Sequence, residues 1–205
     1  MNAVVEATLL AEVFITLFVI MDPPGTIPLF LALTSGASQA RLTRAAWQAV
    51  SVSFVVIVLF AVFGRQLLSY LHISLPALQG AGGLLLLLVA LELLTGREGE
   101  PQETRDVNIA FVPLGTPLLA GPGAIVATMV FVERIDDAPT FVAVAAGIIG
   151  VHVVLWLSMR YSVAILRLIK DSGVTLVTRI SGLLLSAIAV QLIADSVRAF
   201  VAGEG

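Results

Sequence analysis

The stretch that most constrains the fold is residues 21–28, Met-Asp-Pro-Pro-Gly-Thr-Ile-Pro, inside an apolar segment that runs from about residue 7 to residue 33. A membrane-spanning helix normally tolerates neither a central carboxylate nor three prolines within seven residues. Each proline removes an N–H donor and clashes with the preceding turn, and a buried carboxylate is costly in lipid. Asp22 is a good helix N-cap, and Pro23 suits the first helical position. The sequence therefore predicts a span that breaks near Asp22, with a new half-helix that begins at Pro23.

The composition of the chain is that of an integral membrane protein. Of its 205 residues, 59% are hydrophobic and 12% are charged, and the mean hydropathy is +1.05, whereas a soluble domain carries about 25% charged residues. The absence of cysteine excludes disulfides and thiolate chemistry. A net charge of −3 with scattered basic residues indicates no nucleic-acid partner. The first forty residues lack Lys and Arg, so the opening segment is interpreted as a retained span rather than a signal peptide.

Six segments are long enough to cross a bilayer, which takes about 20 mostly apolar residues. They are predicted at about residues 7–33, 45–64, 75–94, 107–132, 141–159 and 180–201. The fourth is broken like the first, by Pro113, Pro117 and Pro122. The amphipathic stretch 160–170 is predicted to lie at the membrane interface. We expect a single transmembrane domain over residues 1–205, with one strongly charged linker at 95–106.

The basic residues predict the orientation of the spans. The loops after spans one, three and five hold eight Lys or Arg residues, and the other side holds three. Because basic residues collect in cytoplasmic loops, the linker 95–106 is predicted in the cytoplasm and both termini outside.

The two halves of the sequence resemble each other. Residues 83–94 match residues 182–193 at an offset of 99, with six of twelve pairs identical. The Pro-Gly break at residues 24–27 matches residues 122–125 at an offset of 98. Leu-rich helices match by chance, but two matches at nearly one offset are harder to dismiss.

Each half contains three spans, so the second half must run inverted relative to the first. The sequence predicts an all-α polytopic membrane protein, six transmembrane helices in two inverted three-helix repeats, about 7–94 and 107–201. Helices one and four are broken, and Glu92 of the first repeat corresponds to Gln191 of the second. Inverted repeats with paired broken helices are typical of transporters with a site at the repeat interface.

Two stretches carry a family resemblance. Residues 18–30, which contain the first break, resemble the first signature of the MarC family of bacterial inner-membrane proteins, and residues 112–125 resemble the second. The Gly-Gly-Leu run of the third span and the run from Arg179 to Gln191 are also similar to it. The resemblance covers nearly the whole sequence. It implies a six-span fold in a bacterial inner membrane and, by kinship with small neutral amino acid transporters, a transport role.

This sequence departs from the family pattern at two positions. Many members carry Asn where Thr26 stands, and a small or hydrophobic residue where Gly115 stands. The missing Asn removes an amide donor and acceptor, which implies that the substrate differs from that of better-known members.

The first break supplies the leading candidates for substrate binding. Asp22 can anchor a substrate ammonium, a cation or a coupling proton, or it can be a plain N-cap that satisfies the N–H groups of the half-helix. The two roles can coexist. The neighbouring candidates are Pro23, Pro24, Gly25 and Thr26.

The second break supplies the other half of the predicted site. Gly121, Pro122 and Gly123 start a half-helix whose free N–H groups and positive dipole end can hold a carboxylate. The alternative is a kink that only permits close packing. Thr116 is included as a candidate because it belongs to the second signature.

Polar residues elsewhere in the spans are weaker candidates. Glu92 and Gln191 are candidate proton or ion relays, but Glu92 lies near a span end, where an acid more often reaches water. The same alternative applies to Asp195. Glu12 indicates either a wet vestibule or an interfacial position. His152 is interpreted as a hydrogen-bonded packing residue, and a histidine metal site is not expected.

The pattern favours a secondary transporter of small polar solutes, with neutral amino acids the natural substrate and proton or sodium coupling left open. A channel or ion exchanger that uses the same breaks, and a membrane protein with no transport role, remain alternatives. The enzyme motifs HExxH and Gly-x-Ser-x-Gly and the Walker A motif are absent, so we expect no catalysis, no cofactor and no ATP hydrolysis. The expected partners are a small-molecule substrate and the lipid bilayer, with homo-oligomerisation left open.

Overall fold

The structure is a computed structural model, and it describes residues 2–34, 36–95 and 119–203. Within these ranges the backbone is helical almost throughout and forms no strand. The helices of the described ranges are α1 (Asn2–Met21), α2 (Pro23–Leu33), α3 (Gln39–Leu71), α4 (Leu75–Thr95), α5 (Pro122–Val132), α6 (Ala138–Arg160) and α7 (Ser162–Ala202).

The first apolar segment breaks at Asp22, as predicted. α1 ends at Met21 and α2 begins at Pro23, and Asp22 between them has a φ of 40°, in the left-handed region. The Asp22 N–H donates to Phe18 O (3.0 Å), and the Asp22 C=O accepts from the Thr26 N–H (3.0 Å). Helical hydrogen bonding therefore continues on both sides of the break. Asp tolerates the left-handed conformation better than most residues, which suits it to this position.

The described helices confirm an all-α, polytopic membrane protein. Five segments are long and apolar enough to cross a membrane: Glu6–Leu31 over α1 and α2, then α3, α4, α6 and Ser172–Ala202 of α7. The predicted fourth span, residues 107–132, is described only from residue 119 onward. The charged linker beyond Thr95 and the candidate Thr116 lie outside the described residues.

The two helices that follow the breaks have the same length. α2 and α5 each have 11 residues, and both begin at a proline. At 1.5 Å per residue, each is about 16 Å long, which is roughly half the ~30 Å hydrocarbon thickness of a bilayer. α5 thus has the dimensions of a half-helix, as α2 does.

Two helices differ from their predicted extents. α3 covers Gln39–Leu71 instead of residues 45–64, because hydropathy marks only the apolar centre and a helix can continue into polar surroundings. α7 runs from Ser162 to Ala202, with one non-helical residue, Lys170 (φ 61°, ψ 166°). The membrane-length part of α7 therefore begins at Ser172 rather than near residue 180, since no proline interrupts the helix there.

The apolar core lies between the helices in two clusters. The larger one joins α1, α2, α3, α5 and α6 and includes Leu17, Phe30 and Leu155. The smaller one lies mainly between α4 and α7 and contains Leu86 and Leu185. α2 packs against α6 and α7, and α5 packs against α3 and α4. Each half-helix is therefore held by two long helices from the opposite half of the sequence.

α4 and α7 form the most extensive helix pair, and glycines bring them close together. A methyl group at Gly83 of α4 would lie 2.8 Å from Ala189 O and 2.8 Å from Ile193 Cγ1 of α7. Both distances are shorter than van der Waals contact, so only glycine fits at position 83 without a shift of the helices.

The same kind of contact recurs at the other end of the pair. A methyl group at Gly182 of α7 would lie 3.2 Å from Ala90 O and 3.2 Å from Leu94 Cγ of α4. As the contacts advance along α4 from Gly83 to Ala90, they move back along α7 from Ala189 to Gly182, so the two helices are antiparallel.

Candidate functional site

The carboxylate of Asp22 lies over the first turn of α2. Asp22 is buried, with 7% of the residue exposed. A methyl group at Gly25 would overlap Asp22 Oδ2 and lie 2.8 Å from its Cγ. A carboxylate in this position faces the positive end of the α2 dipole. Gly25 is required for this close approach of the Asp22 carboxylate to α2.

A residue of α7 completes the first break. The point that a Gly25 methyl group would occupy is 3.3 Å from Thr178 Oγ1, and Thr178 is 6% exposed. The hydroxyl of Thr178 is therefore a neighbour of the Asp22 carboxylate at the N-terminus of α2. Thr178 was not among the predicted site residues, and its only signal was its position immediately before the family-like run that begins at Arg179.

The remaining candidates of the first break form the start of α2. Pro23 is buried and Pro24 is half-buried. The Thr26 hydroxyl is buried and donates to Pro23 O (2.8 Å), so its lone pairs remain available to accept. The first break thus gathers one carboxylate, from Asp22, and two hydroxyls, from Thr26 and Thr178.

The second break has a different terminus. Gly121 is the N-cap of α5, with extended backbone (φ −60°, ψ 163°) and no side-chain cap. Its C=O accepts from the N–H groups of Ala124 (3.0 Å) and Ile125 (3.2 Å). Pro122 is exposed, whereas Gly123 is buried, and a methyl group there would overlap the Leu86 side chain of α4. The close-packing role of Gly123 is thus supported, and α5 begins without the carboxylate that α2 has.

The backbone just before each break lies in one buried cluster. Met21 precedes the first break, Leu119 and Ala120 precede the second, and all three belong to the larger apolar cluster. Residues that precede both helix starts therefore contribute to the same apolar cluster.

A cavity of about 330 Å³, lined by both polar and apolar residues, lies between α1, α4, α5 and α7. Its polar lining residues are Glu12, Thr16, Gln79, Arg134, Gln191 and Asp195. Arg134, just after α5, donates to Glu12 Oε1 of α1 (2.8 Å). Gln191 Nε2 donates to both carboxylate oxygens of Asp195 (2.9 and 3.0 Å). Gln191 and Glu12 thus both line this cavity.

Two other candidates lie apart from both breaks and the cavity. Glu92 is exposed near the end of α4, and within the described ranges its carboxylate has no hydrogen bond or ion pair. His152 is buried in α6, where Nδ1 contacts Ile148 O (2.7 Å) and Nε2 contacts Ser53 Oγ of α3 (3.4 Å). The structure confirms that His152 is a hydrogen-bonded packing residue.

The long apolar helices and the break at the buried Asp22 define a polytopic integral membrane protein whose first span is discontinuous. The chain belongs to the MarC family: residues 7–201 match the family described as "MarC family integral membrane protein".

Similar proteins occur in archaea and bacteria. The protein is 36% identical over 189 residues to a UPF0056 membrane protein of Archaeoglobus fulgidus, and the match spans 89% of each of the two proteins. It is 32% identical to the UPF0056 membrane protein YvbG of Bacillus subtilis, over 90% of this protein and 92% of that one. It is 29% identical to the UPF0056 membrane protein YhcE of Escherichia coli, over 93% and 92%. No solved structure matches the protein.

Proposed function

We propose that this protein is a secondary transporter of small polar solutes, with neutral amino acids as the substrate class. The carrying observation is that two helices of 11 residues each begin at a proline, one after the break at Asp22 and one at Pro122, with different chemistry at the two N-termini. α2 begins under the Asp22 carboxylate, and α5 begins at Gly121 without a side-chain cap. Broken helices at membrane depth are characteristic of transporter sites.

The proposed binding mode follows from these termini. A zwitterion needs a negative partner for its ammonium and a positive partner for its carboxylate. Asp22 supplies the first, and the N-terminus of α5 supplies the second through its dipole and the Gly123 N–H, since Pro122 has no N–H to donate. The hydroxyls of Thr26 and Thr178 add acceptors beside Asp22. Asp22 is also the proposed proton or ion coupling residue, ahead of the exposed Glu92.

The proposal includes two inverted repeats, residues 7–94 and 107–201. The glycine contacts support this symmetry. At the offset of 99, Gly83 corresponds to Gly182, and Ala90 corresponds to Ala189. Gly83 contacts Ala189 and Gly182 contacts Ala90, so the same contact occurs twice with the two halves exchanged. Such reciprocal contacts are typical of a two-fold axis. Since α4 and α7 are antiparallel, that axis would be perpendicular to them and would lie in the membrane plane.

The helix packing supports the same symmetry. α2 packs on α6 and α7, and its proposed counterpart α5 packs on α3 and α4. We further propose a bacterial inner-membrane location, with both termini outside, the linker 95–106 in the cytoplasm and no enzymatic activity.

The test is uptake of labelled L-alanine, glycine and L-serine into liposomes that contain the purified protein, with and without a pH or sodium gradient. A carrier gives saturable uptake with competition among these solutes. A flux that rises linearly with concentration would indicate a channel instead, and no uptake of any of the three would contradict the proposed substrate class.

A matched pair of variants tests the role of Asp22. Asp22→Asn keeps the side-chain shape and much of the capping ability but removes the charge. Asp137→Asn makes the same change at the exposed N-cap of α6. We expect Asp22→Asn to insert normally and to lose uptake or change its pH dependence, while Asp137→Asn transports as the parent does. Equal uptake by both variants at every pH would mean that Asp22 serves only as a helix N-cap and takes no part in transport.

A further inference from the structure

We propose that the cavity between α1, α4, α5 and α7 is a second binding site, where a small zwitterionic amino acid binds before it reaches the helix starts at Pro23 and Pro122. Arg134 holds its carboxylate, and Asp195 with Gln191 holds its ammonium. The carboxylate of the solute replaces Glu12 on Arg134. The choice of an amino acid as the solute rests on the proposed function. The cavity and its charged lining residues are observed in the structure and do not depend on it.

The guanidinium of Arg134 is suited to hold a carboxylate. It is planar with five N–H donors, and its hydrogen bond within the described residues goes from one NH1 group to Glu12 Oε1 (2.8 Å). A second carboxylate of the same geometry can take this place with two parallel bonds. Carboxylate replaces carboxylate, so the charge on Arg134 stays paired throughout the exchange.

The Glu12–Arg134 pair is weak enough to be exchanged. The Arg134 side chain is 49% exposed and that of Glu12 is 44% exposed. Ion pairs that are this accessible contribute little to stability, because water and salt screen them. Because the Glu12 side chain is partly exposed, water can solvate its carboxylate once the solute has replaced it on Arg134.

A second carboxylate, that of Asp195, also lines the cavity. Asp195 accepts from Gln191 Nε2, and Arg198 NH1 lies 3.4 Å from Asp195 Oδ1 at the rim. The amide oxygen of Gln191 offers the ammonium a further acceptor. With Glu12, Asp195 and Arg134 the lining carries one more negative charge than positive, which disfavours a simple anion.

The size of the cavity limits the solute. Ligand pockets of about 300–1,000 Å³ hold drug-sized molecules, and this one has about 330 Å³. The walls between the polar residues are aliphatic or aromatic, with Ile188, Leu192, Val130 and Phe131 among them. A small solute with two charged ends and a short apolar side chain matches this lining.

The exchange also changes how the helices are tied together. The turn after α5 is fixed by two consecutive residues: Glu133 pairs with Arg65 of α3 (2.9 Å), and Arg134 pairs with Glu12 of α1 (2.8 Å). Solute binding would break the ion pair with α1 and leave the ion pair with α3 intact. The solute itself would then free α1, the helix that leads directly to Asp22.

The two consecutive residues provide a matched control. Arg134→Gln and Glu133→Gln each break one ion pair of the same turn, but only Arg134 lines the cavity. We expect the purified protein in detergent to bind L-alanine in calorimetric titrations. Arg134→Gln should weaken binding about tenfold or more, since charge-assisted hydrogen bonds are lost, and Glu133→Gln should bind as the parent does. Equal affinities of the two variants would overturn the proposal.

Removal of the competing carboxylate has the opposite effect. Glu12→Gln frees Arg134, so L-alanine should bind as tightly as to the parent or more tightly. Ethylamine and propionate, which each carry one of the two charged ends, should bind less tightly than L-alanine. If Glu12→Gln weakens binding as Arg134→Gln does, or propionate binds as L-alanine does, the exchange on Arg134 is wrong.

These outcomes are distinct from those that test the proposed function. Arg134-dependent binding without uptake into liposomes would leave the cavity site standing and remove the transport role. Uptake that is lost in Asp22→Asn but unchanged in Arg134→Gln, with unchanged L-alanine affinity, would support the transport role and contradict the cavity site.

Discussion

Ser53 Oγ of α3 lies 3.4 Å from His152 Nε2 of α6, and the two residues are 99 positions apart in the sequence. That separation equals the offset at which residues 83–94 match residues 182–193. Ser53 and His152 would therefore be one and the same position in the two proposed repeats. A residue that contacts its own counterpart lies on the axis that relates the halves, so this pair marks where a two-fold axis would cross α3 and α6.

The Ser53–His152 contact predicts the tautomer of the imidazole. Ile148 O can only accept, so Nδ1 must carry the proton and Nε2 must accept from the Ser53 hydroxyl. Nitrogen NMR of histidine-labelled protein should show a protonated Nδ1 on His152. Ser53→Ala should lower the free energy of unfolding by no more than about 1 kcal/mol, because the 3.4 Å contact is long. A protonated Nε2 would contradict this assignment.

The close packing of α4 on α7 predicts the cost of added methyl groups. Gly83→Ala would press a methyl group against the backbone oxygen of Ala189 at 2.8 Å, whereas Gly182→Ala would meet Ala90 O at 3.2 Å. Overpacking typically costs about 1–3 kcal/mol, so both variants should unfold at lower temperature in detergent, Gly83→Ala more than Gly182→Ala. Leu88→Ala, on an exposed face of α4, is the control and should have little effect.

The overlap between Gly25 and the Asp22 carboxylate predicts a non-additive double variant. Gly25→Ala should destabilise the protein by about 1–3 kcal/mol, because the methyl group displaces the carboxylate. Asp22→Gly removes that collision and tolerates a φ of 40°. In the double variant Gly25→Ala should therefore cost less than it does alone, as thermal unfolding of all four proteins would show. Additive effects would mean that the two side chains do not meet.

The capping box at the start of α6 predicts an effect of acid. The Thr140 hydroxyl, and next the Thr140 backbone N–H, donate to Asp137 and lower the pKa of its carboxyl below the ordinary value. A group with a depressed pKa stabilises the folded state above its unfolded pKa, and this stabilisation is lost as the pH falls through the folded pKa. The unfolding temperature of Asp137→Asn should therefore differ from that of the parent at neutral pH, and the difference should shrink below about pH 4.

The predicted orientation can be tested with single cysteines, since the natural sequence has none. Asp136→Cys, in the turn between α5 and α6, should react with a membrane-impermeant thiol reagent added outside cells. Gln102→Cys, in the linker, should react only after the membrane is opened. The reverse pattern would invert the topology.

The breaks could be predicted from the sequence because their cause is local. Proline lacks an N–H wherever it stands, so Pro23 and Pro122 mark helix starts without any knowledge of neighbours. Apolar length likewise marks the centres of the spans. The ends of α3 and α7 were missed because a helix in polar surroundings leaves no hydropathy signal.

The contacts around the breaks could not be predicted because they join distant parts of the sequence. Arg134 and Glu12 are 122 residues apart, and the sequence around either residue does not predict that the two form a pair. Thr178 reaches Gly25 only because α7 packs against α2. Such pairings depend on how helices dock, which an apolar pattern leaves undetermined. Whether the predicted site residues bind a substrate stays a prediction.

The length of the two half-helices has an electrical consequence. A helix of 11 residues is about half as long as a bilayer's hydrocarbon core is thick, so the N-termini of α2 and α5 would lie about midway across it. A proton that reaches Asp22 would then cross roughly half of the membrane voltage, which is worth about 1 kcal/mol per 100 mV. A membrane potential of the right sign would therefore load Asp22 from one side and unload it to the other, even without a difference in pH.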